Sequence, residues 1–168
     1  MEYFDLVTED DSRITGRASR EECHGNPALI HRAVRIMIFH SDGRLLLQKR
    51  SLNKKVQAGK WDAAVGGHVA SGESIAVAVE RELAEEIGVT LRKGENLDFF
   101  YTIKVRNDFE SENITVFRLI CNGPFVKQEE EVDDLRFFSM EELKKLLAGS
   151  PEIFTPLLQQ EMREHLLP

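Results

Sequence analysis

The sequence predicts an α+β fold, a mixed β-sheet with helices packed on both faces as an α/β/α sandwich. Three observations carry this reading: short apolar runs rich in β-branched and aromatic residues, a hairpin signal between two of them, and helical apolar spacing in one central segment.

In chain order, the apolar runs 34–39 and 45–47 flank Ser41-Asp42-Gly43, and an Asp-Gly pair in that setting specifies a tight antiparallel hairpin. After a polar loop comes a strand over 61–65, closed by Gly66-Gly67. A helix is expected from about 75 to 87, because Ala76, Val79, Leu83 and Ile87 recur at helical spacing as one apolar stripe and Gly88 is placed to end it. The runs 99–105, 114–121 and 135–138 read as strands. Ser139-Met140-Glu141-Glu142 has the form of a capping box opening a helix through Leu147, and the tail from about 156 to 167 reads as helical. Trp61, a single large aromatic beside a strand, is read as core.

Composition narrows the function. A chain of 168 residues fits one domain, and 42% hydrophobic with 30% charged residues is the balance of a globular protein. No run is long and apolar enough to span a bilayer, and the acidic start MEYFDLVTED lacks a basic-then-apolar leader, so a cytoplasmic protein without a membrane partner is expected. A net charge of −7 argues against nucleic acid as a partner. Cys23 and Cys121 fit no paired metal spacing and read as reduced thiols.

On the predicted helix, Glu82, Glu85 and Glu86 stand three and four residues apart and emerge from one side, beside the apolar stripe. Without a cation such like-charge pairs cost roughly 0.2 to 0.5 kcal/mol each. In isolation a solvated acidic helix face is the better explanation of them. Their setting is more specific: five residues separate Gly67 from Glu73, and seven more lead to Arg81-Glu82-Leu83-Ala84-Glu85-Glu86-Ile87-Gly88-Val89.

This pattern resembles the Nudix signature, Gly-x5-Glu-x7-Arg-Glu-U-x-Glu-Glu-x-Gly-U with U a bulky apolar residue, at all nine specified positions. The resemblance implies a single Nudix hydrolase domain over 1–168, with 1–30 as a β-strand extension packed on it. It implies that Gly67 makes a turn, that Glu73 and Arg81 brace the helix, and that Glu82, Glu85 and Glu86 hold Mg2+, with Mn2+ as the alternative. The chemistry suits the residues, since magnesium takes a few carboxylates together with phosphate oxygens. The implied reaction is hydrolysis of a diphosphate linkage in a nucleoside diphosphate derivative or similar small metabolite, with Glu85 and Glu86 catalytic. An extra glutamate before the last strand, Glu131 or its neighbour Glu130, is expected to join them. Family habit suggests a homodimer.

Between Asp42 and Lys60 lie Arg44, Lys49, Arg50, Lys54, Lys55 and Lys60, a local positive field for an anionic substrate or an ordinary basic surface. Arg50 and Lys55 are the preferred phosphate contacts, with Gly67 beside them. Outside the signature, Phe4-Asp5-Leu6-Val7, Ser19-Arg20-Glu21-Glu22, His31-Arg32-Ala33-Val34, Leu46-Leu47-Gln48-Lys49-Arg50, Lys60-Trp61 and Gly67-His68 resemble the isopentenyl diphosphate isomerase branch of the superfamily. That branch implies a second metal site on His24, His31 and His68 with Glu110 and Glu112. The chain departs from the branch at Gly66, where the isomerases carry the cysteine that moves a proton, and at Glu152, where a tryptophan is expected. Its signature is also complete, whereas theirs is degraded. The hydrolase reading therefore leads, with an isomerase and a non-catalytic diphosphate-binding module as alternatives.

Overall fold

A computed structural model describes residues 1–95 and 97–167. The strand β3 (Ile30–Phe39) organises it. Along one edge it runs parallel to β8 (Ser111–Ile120), in register from Ile30 opposite Ser111 to Phe39 opposite Ile120. β7 (Leu97–Arg106) continues the sheet antiparallel to β8. The other edge of β3 is shared antiparallel by β6 (Val65–His68), over Ala33 to Ile36, and by β4 (Leu45–Arg50) at Ile38 and Phe39. β4 in turn pairs with β5 (Trp61–Ala63) and β9 (Val132–Phe138). The hairpin of β1 (Tyr3–Val7) and β2 (Ile14–Ser19) joins through Leu6 opposite His31. Parallel and antiparallel pairs together make the mixed sheet the sequence predicts.

Alternation along β3 explains the layers, since successive strand residues point to opposite faces. Val34, Ile36 and Ile38 pack under α2 (Ile75–Ile87), against Val79, Leu83 and Ile87. Ala33 and Met37 pack on the other face against Leu143 of α3 (Met140–Gly149) and Leu158 of α4 (Pro156–Glu161). The α+β sandwich is thus present, helix on each side of the sheet. Gly88 ends α2 with φ +67° and donates to the carbonyls of Ala84 and Leu83, as a C-terminal glycine should.

Several local expectations are corrected. The strand expected over 61–65 is broken at Ala64, and Gly66 and Gly67 lie inside β6 rather than in a turn after it. Ala76 is exposed; the α2 stripe is completed by Ala78 and by the carboxylate residue Glu82, because the helix turns its glutamate edge toward β6. Ser139 caps α3 by accepting from the Glu142 amide, but the Glu142 side chain pairs with Arg136 instead of closing the box. The tail is α4 followed by a π-helical turn, Met162–Leu166. Trp61 meets Phe138 edge-on at 4.9 Å within the core. Both cysteines are free, and among the described residues no helix is long and apolar enough to cross a membrane.

Candidate active site

The helix α2 is fastened to the loop before it by one guanidinium. Arg81 donates from Nε and Nη2 to the two oxygens of Glu73, at 2.8 and 2.9 Å, and from Nη2 to the His68 carbonyl at 3.0 Å. Glu73 also accepts from the Ala70 amide at 2.9 Å, so the pair ties helix, loop and the end of β6 together. The remaining nitrogen reaches Glu82 at 2.6 Å and Glu85 at 3.4 Å. Gly67 has a role other than a turn: a Cβ there would lie 2.1 Å from Glu82 Oε1, so glycine is what lets that carboxylate sit against the strand.

Glu86 is held from below. Gln48 on β4 donates its amide to Glu86 Oε2 and to the Ala64 carbonyl, both at 2.9 Å. Burial, the neighbouring Glu82 and then Asp62 push the Glu86 carboxyl up to about 8, and burial raises Glu82 despite Arg81 beside it. Such groups wait for a proton or a cation. Hard oxygen donors grouped in this way suit a divalent ion.

Glu82, Glu85 and Glu86 line one cleft of about 920 Å3 with Gly67, Arg50, Lys54, Lys55 and Glu131. The basic run expected from sequence divides here. Arg50, Lys54 and Lys55 face the cleft, whereas Arg44 is folded back on Asp42. Arg50 is steadied by the Val56 carbonyl at 3.0 Å, and Lys54 pairs with Glu131. Glu130 stays on the exposed surface, and Leu157, not Glu152, is the C-terminal residue at the cleft wall. Lys54 belongs to the basic run named from sequence but not to its preferred phosphate contacts, and the hold of Gln48 on Glu86 has no signal in local spacing.

The same cleft receives a second cluster. His24 follows the short capped helix α1 (Arg20–Cys23), His31 sits on β3, His68 on β6, and Glu110 and Glu112 come from the start of β8 and the turn before it. One ligand atom from each of His24, His31, His68 and Glu110 falls within 4.8 Å of the others, the one such group among the described residues. Among the described residues, Glu82, Glu85 and Glu86 do not close to that spacing. Glu112 flanks the group, 2.9 Å from His68 Nε2 and 3.7 Å from His31 Nε2. Although burial opposes its charge, these imidazoles hold its carboxyl well below the usual range. The Nε2 atoms of His24 and His31 are buried without hydrogen-bond partners among the described residues. His31 Nδ1 lies 3.2 Å from the Leu29 carbonyl, a contact that orients the ring with Nε2 turned inward. Phe4 stacks on His31 and His68 at 5.0 and 4.6 Å, so β1 forms the cluster's apolar wall.

Comparison with known proteins decides the family. The NUDIX domain matches residues 29–158. The chain belongs to the Nudix family. Its relatives carry two kinds of name. The isopentenyl-diphosphate delta-isomerase of Serratia proteamaculans is 34% identical over 92% of this chain and 86% of that protein. The uncharacterized Nudix hydrolase YfcD of Escherichia coli is 32% identical over 84% of this chain and 76% of that protein. Among solved structures, DR0079 from Deinococcus radiodurans matches with a TM-score of 0.78 at 25% identity, covering 98% of this chain and 99% of that one. This Nudix chain is an enzyme of the pyrophosphohydrolase type, in a family that generally uses divalent metals.

Proposed function

We propose that this Nudix enzyme hydrolyses, with Mg2+ or Mn2+, the diphosphate linkage of a nucleoside diphosphate derivative or similar small metabolite. The observation that carries the reading is the meeting of Glu82, Glu85 and Glu86 with Arg50, Lys54 and Lys55 across one cleft. A cation bound by the three glutamates would neutralise phosphate charge and lower the barrier to attack by water. The protein's own groups do the rest. Arg50, Lys54 and Lys55 orient the phosphates, and Gln48 fixes the rotamer of Glu86. In this reading Glu85, Glu86 and Glu131 orient water and take its proton. Water oxygen bonds to phosphorus as the anhydride P–O bond breaks, and the leaving phosphate carries off the electron pair.

His24, His31 and His68, with Glu110 and Glu112, form a proposed second site for a transition or divalent metal. Burial lowers the His24 pKa, which favours the neutral, ligating imidazole. This cluster and the isomerase-named relatives favour a second reading, double-bond isomerisation of isopentenyl diphosphate. Against it stands Gly66, which has no side chain to exchange a proton at the position where the resemblance places the isomerase cysteine. A screen of diphosphate metabolites with magnesium or manganese separates the possibilities. Phosphorylated products that vanish on chelation support the hydrolase; migration of the double bond without hydrolysis overturns it; binding without turnover leaves only a diphosphate-binding module.

A further inference from the structure

Behind Gly66 the floor of the cleft is charged, where a hydrocarbon substrate would want it apolar. Arg35 interrupts the apolar face of β3. It donates from Nη2 to Asp62 Oδ1 at 2.7 Å and Glu161 Oε2 at 2.6 Å, and from Nε to Glu161 Oε1 at 3.0 Å. Glu161 is fully buried on α4 and also accepts from the Tyr101 hydroxyl at 3.2 Å. Buried ion clusters of this kind are often no more stabilising than apolar residues of similar volume, so stability alone is a weak reason for one.

Asp62 supplies a better reason. Its Oδ1 accepts three hydrogen bonds, from Arg35, from the Ala63 amide at 2.8 Å and from the Thr155 hydroxyl at 3.0 Å. Its Oδ2 accepts none among the described residues; Arg50 Nη1, at 3.9 Å, is beyond hydrogen-bond reach. The side chain is 15% exposed and lines the same cleft as the box glutamates. Asp62 is moreover the cross-strand partner of Gln48, and directly opposed residues share a sheet face. The amide of Gln48 is what holds Glu86, so the open oxygen stands beside the proposed metal ligands. Burial works against the Asp62 charge, but the Arg35 guanidinium overcomes it and keeps the group ionised.

We infer that Asp62 is a specificity-determining residue whose Oδ2 accepts a hydrogen bond from a hydroxyl or N–H on the group attached to the diphosphate. The substrate class is then a polar, donor-bearing diphosphate rather than an alkyl or prenyl one. Arg35 and Thr155 are positioning residues that aim the carboxylate. This inference rests on the hydrolase reading of the cleft.

The test measures calorimetric binding, with magnesium, and hydrolysis for UDP-glucose, ADP-ribose and geranyl diphosphate. The better of the two donor-bearing probes is expected to bind about tenfold or more tightly than geranyl diphosphate, because a buried acceptor left unpaired penalises the wrong ligand. Asp62→Asn keeps an oxygen for Arg35 but turns an NH2 group into the cleft. It should erase that preference by raising KM, with kcat within about threefold and geranyl diphosphate binding unchanged. Thr155→Val loosens Oδ1 without touching Oδ2 and should cost a smaller part of the preference, which keeps the test decisive if Asp62→Asn fails to fold. Geranyl diphosphate binding as well as the polar probes, or an unchanged preference in folded Asp62→Asn, overturns the role of Asp62. Selective binding without hydrolysis of any probe overturns the hydrolase reading alone, and binding of none overturns both.

Discussion

The two proposed ligand clusters lie on either side of β6 residues Gly67 and His68 in one cleft, yet they are built in opposite ways. Glu82, Glu85 and Glu86 are neighbours on a single helix, and their proximity costs them: Glu86 is pushed up to about 8 by burial and by Glu82. The histidine cluster draws its members from the residue after α1, from β3 and β6, and from the turn before β8, and its ligand atoms are already gathered within 4.8 Å. A local cluster is set by helical spacing but is tense until a counter-charge arrives; a dispersed cluster is set by strand register and stands assembled. The first should respond to its cation by moving side chains, the second by filling buried lone pairs.

Removing one charge from the local cluster is the strongest way to break the comparison. Glu86→Gln should lower magnesium-dependent turnover at least about tenfold, because it deletes a charged ligand while Gln48 remains able to hold an amide. Steady-state kinetics across a magnesium titration checks this, and unchanged turnover rejects the assignment. Gly67→Ala attacks the same cluster sterically. The new methyl would meet Glu82 Oε1 at 2.1 Å, so either the carboxylate or the strand must move. A loss of about 1–3 kcal/mol in denaturant unfolding is expected, the range for overpacking, together with weaker magnesium binding. Full stability with full metal affinity would show that Glu82 has room the structure does not offer.

How much of this was legible in the sequence follows the same division. The α2 helix, its glycine cap, the Asp-Gly hairpin and the Arg81–Glu73 brace rest on residues at most eight apart, and periodicity or the family pattern reached them. The histidine site depends on β8 lying parallel and in register with β3, which sets His31 opposite Glu112, and on β6 lying antiparallel, which sets His68 opposite Ala33. No local spacing encodes those pairings; only the resemblance named the residues. The resemblance implies a turn at Gly67, whereas here this glycine lies in a strand and answers to a carboxylate arriving from another element. Arg35 and Glu161, 126 residues apart, were invisible for the same reason as the histidines.

A milder perturbation tests the dispersed cluster. His31→Ala should abolish binding of a transition metal such as Mn2+ or Zn2+ at the proposed histidine site, read by metal analysis after dialysis, because it removes one of the two buried Nε2 atoms without a hydrogen-bond partner among the described residues. Magnesium-dependent turnover should stay within about threefold of the parent. A collapse of turnover equal to that of Glu86→Gln would mean that the two clusters act as one site.

The smallest effect distinguishes tension from assembly most directly. Burial and the neighbouring Glu82 push the Glu86 carboxyl from its ordinary value of 4.5 up to about 8, so between those values the folded chain binds more protons than the unfolded one. Linkage then gives a definite sign: with a chelator present, this group's stabilising contribution is complete below about pH 4.5 and is lost as pH rises toward about 8. Glu86→Gln lacks the titration, so thermal unfolding of parent minus variant should decline across that window. Magnesium must reverse the trend in the parent, since the cation needs the ionised carboxylate and its stabilisation therefore grows with pH. A difference flat in pH would mean that Glu86 ionises like a surface carboxylate, and the contrast between a tense local cluster and a preassembled dispersed one would dissolve.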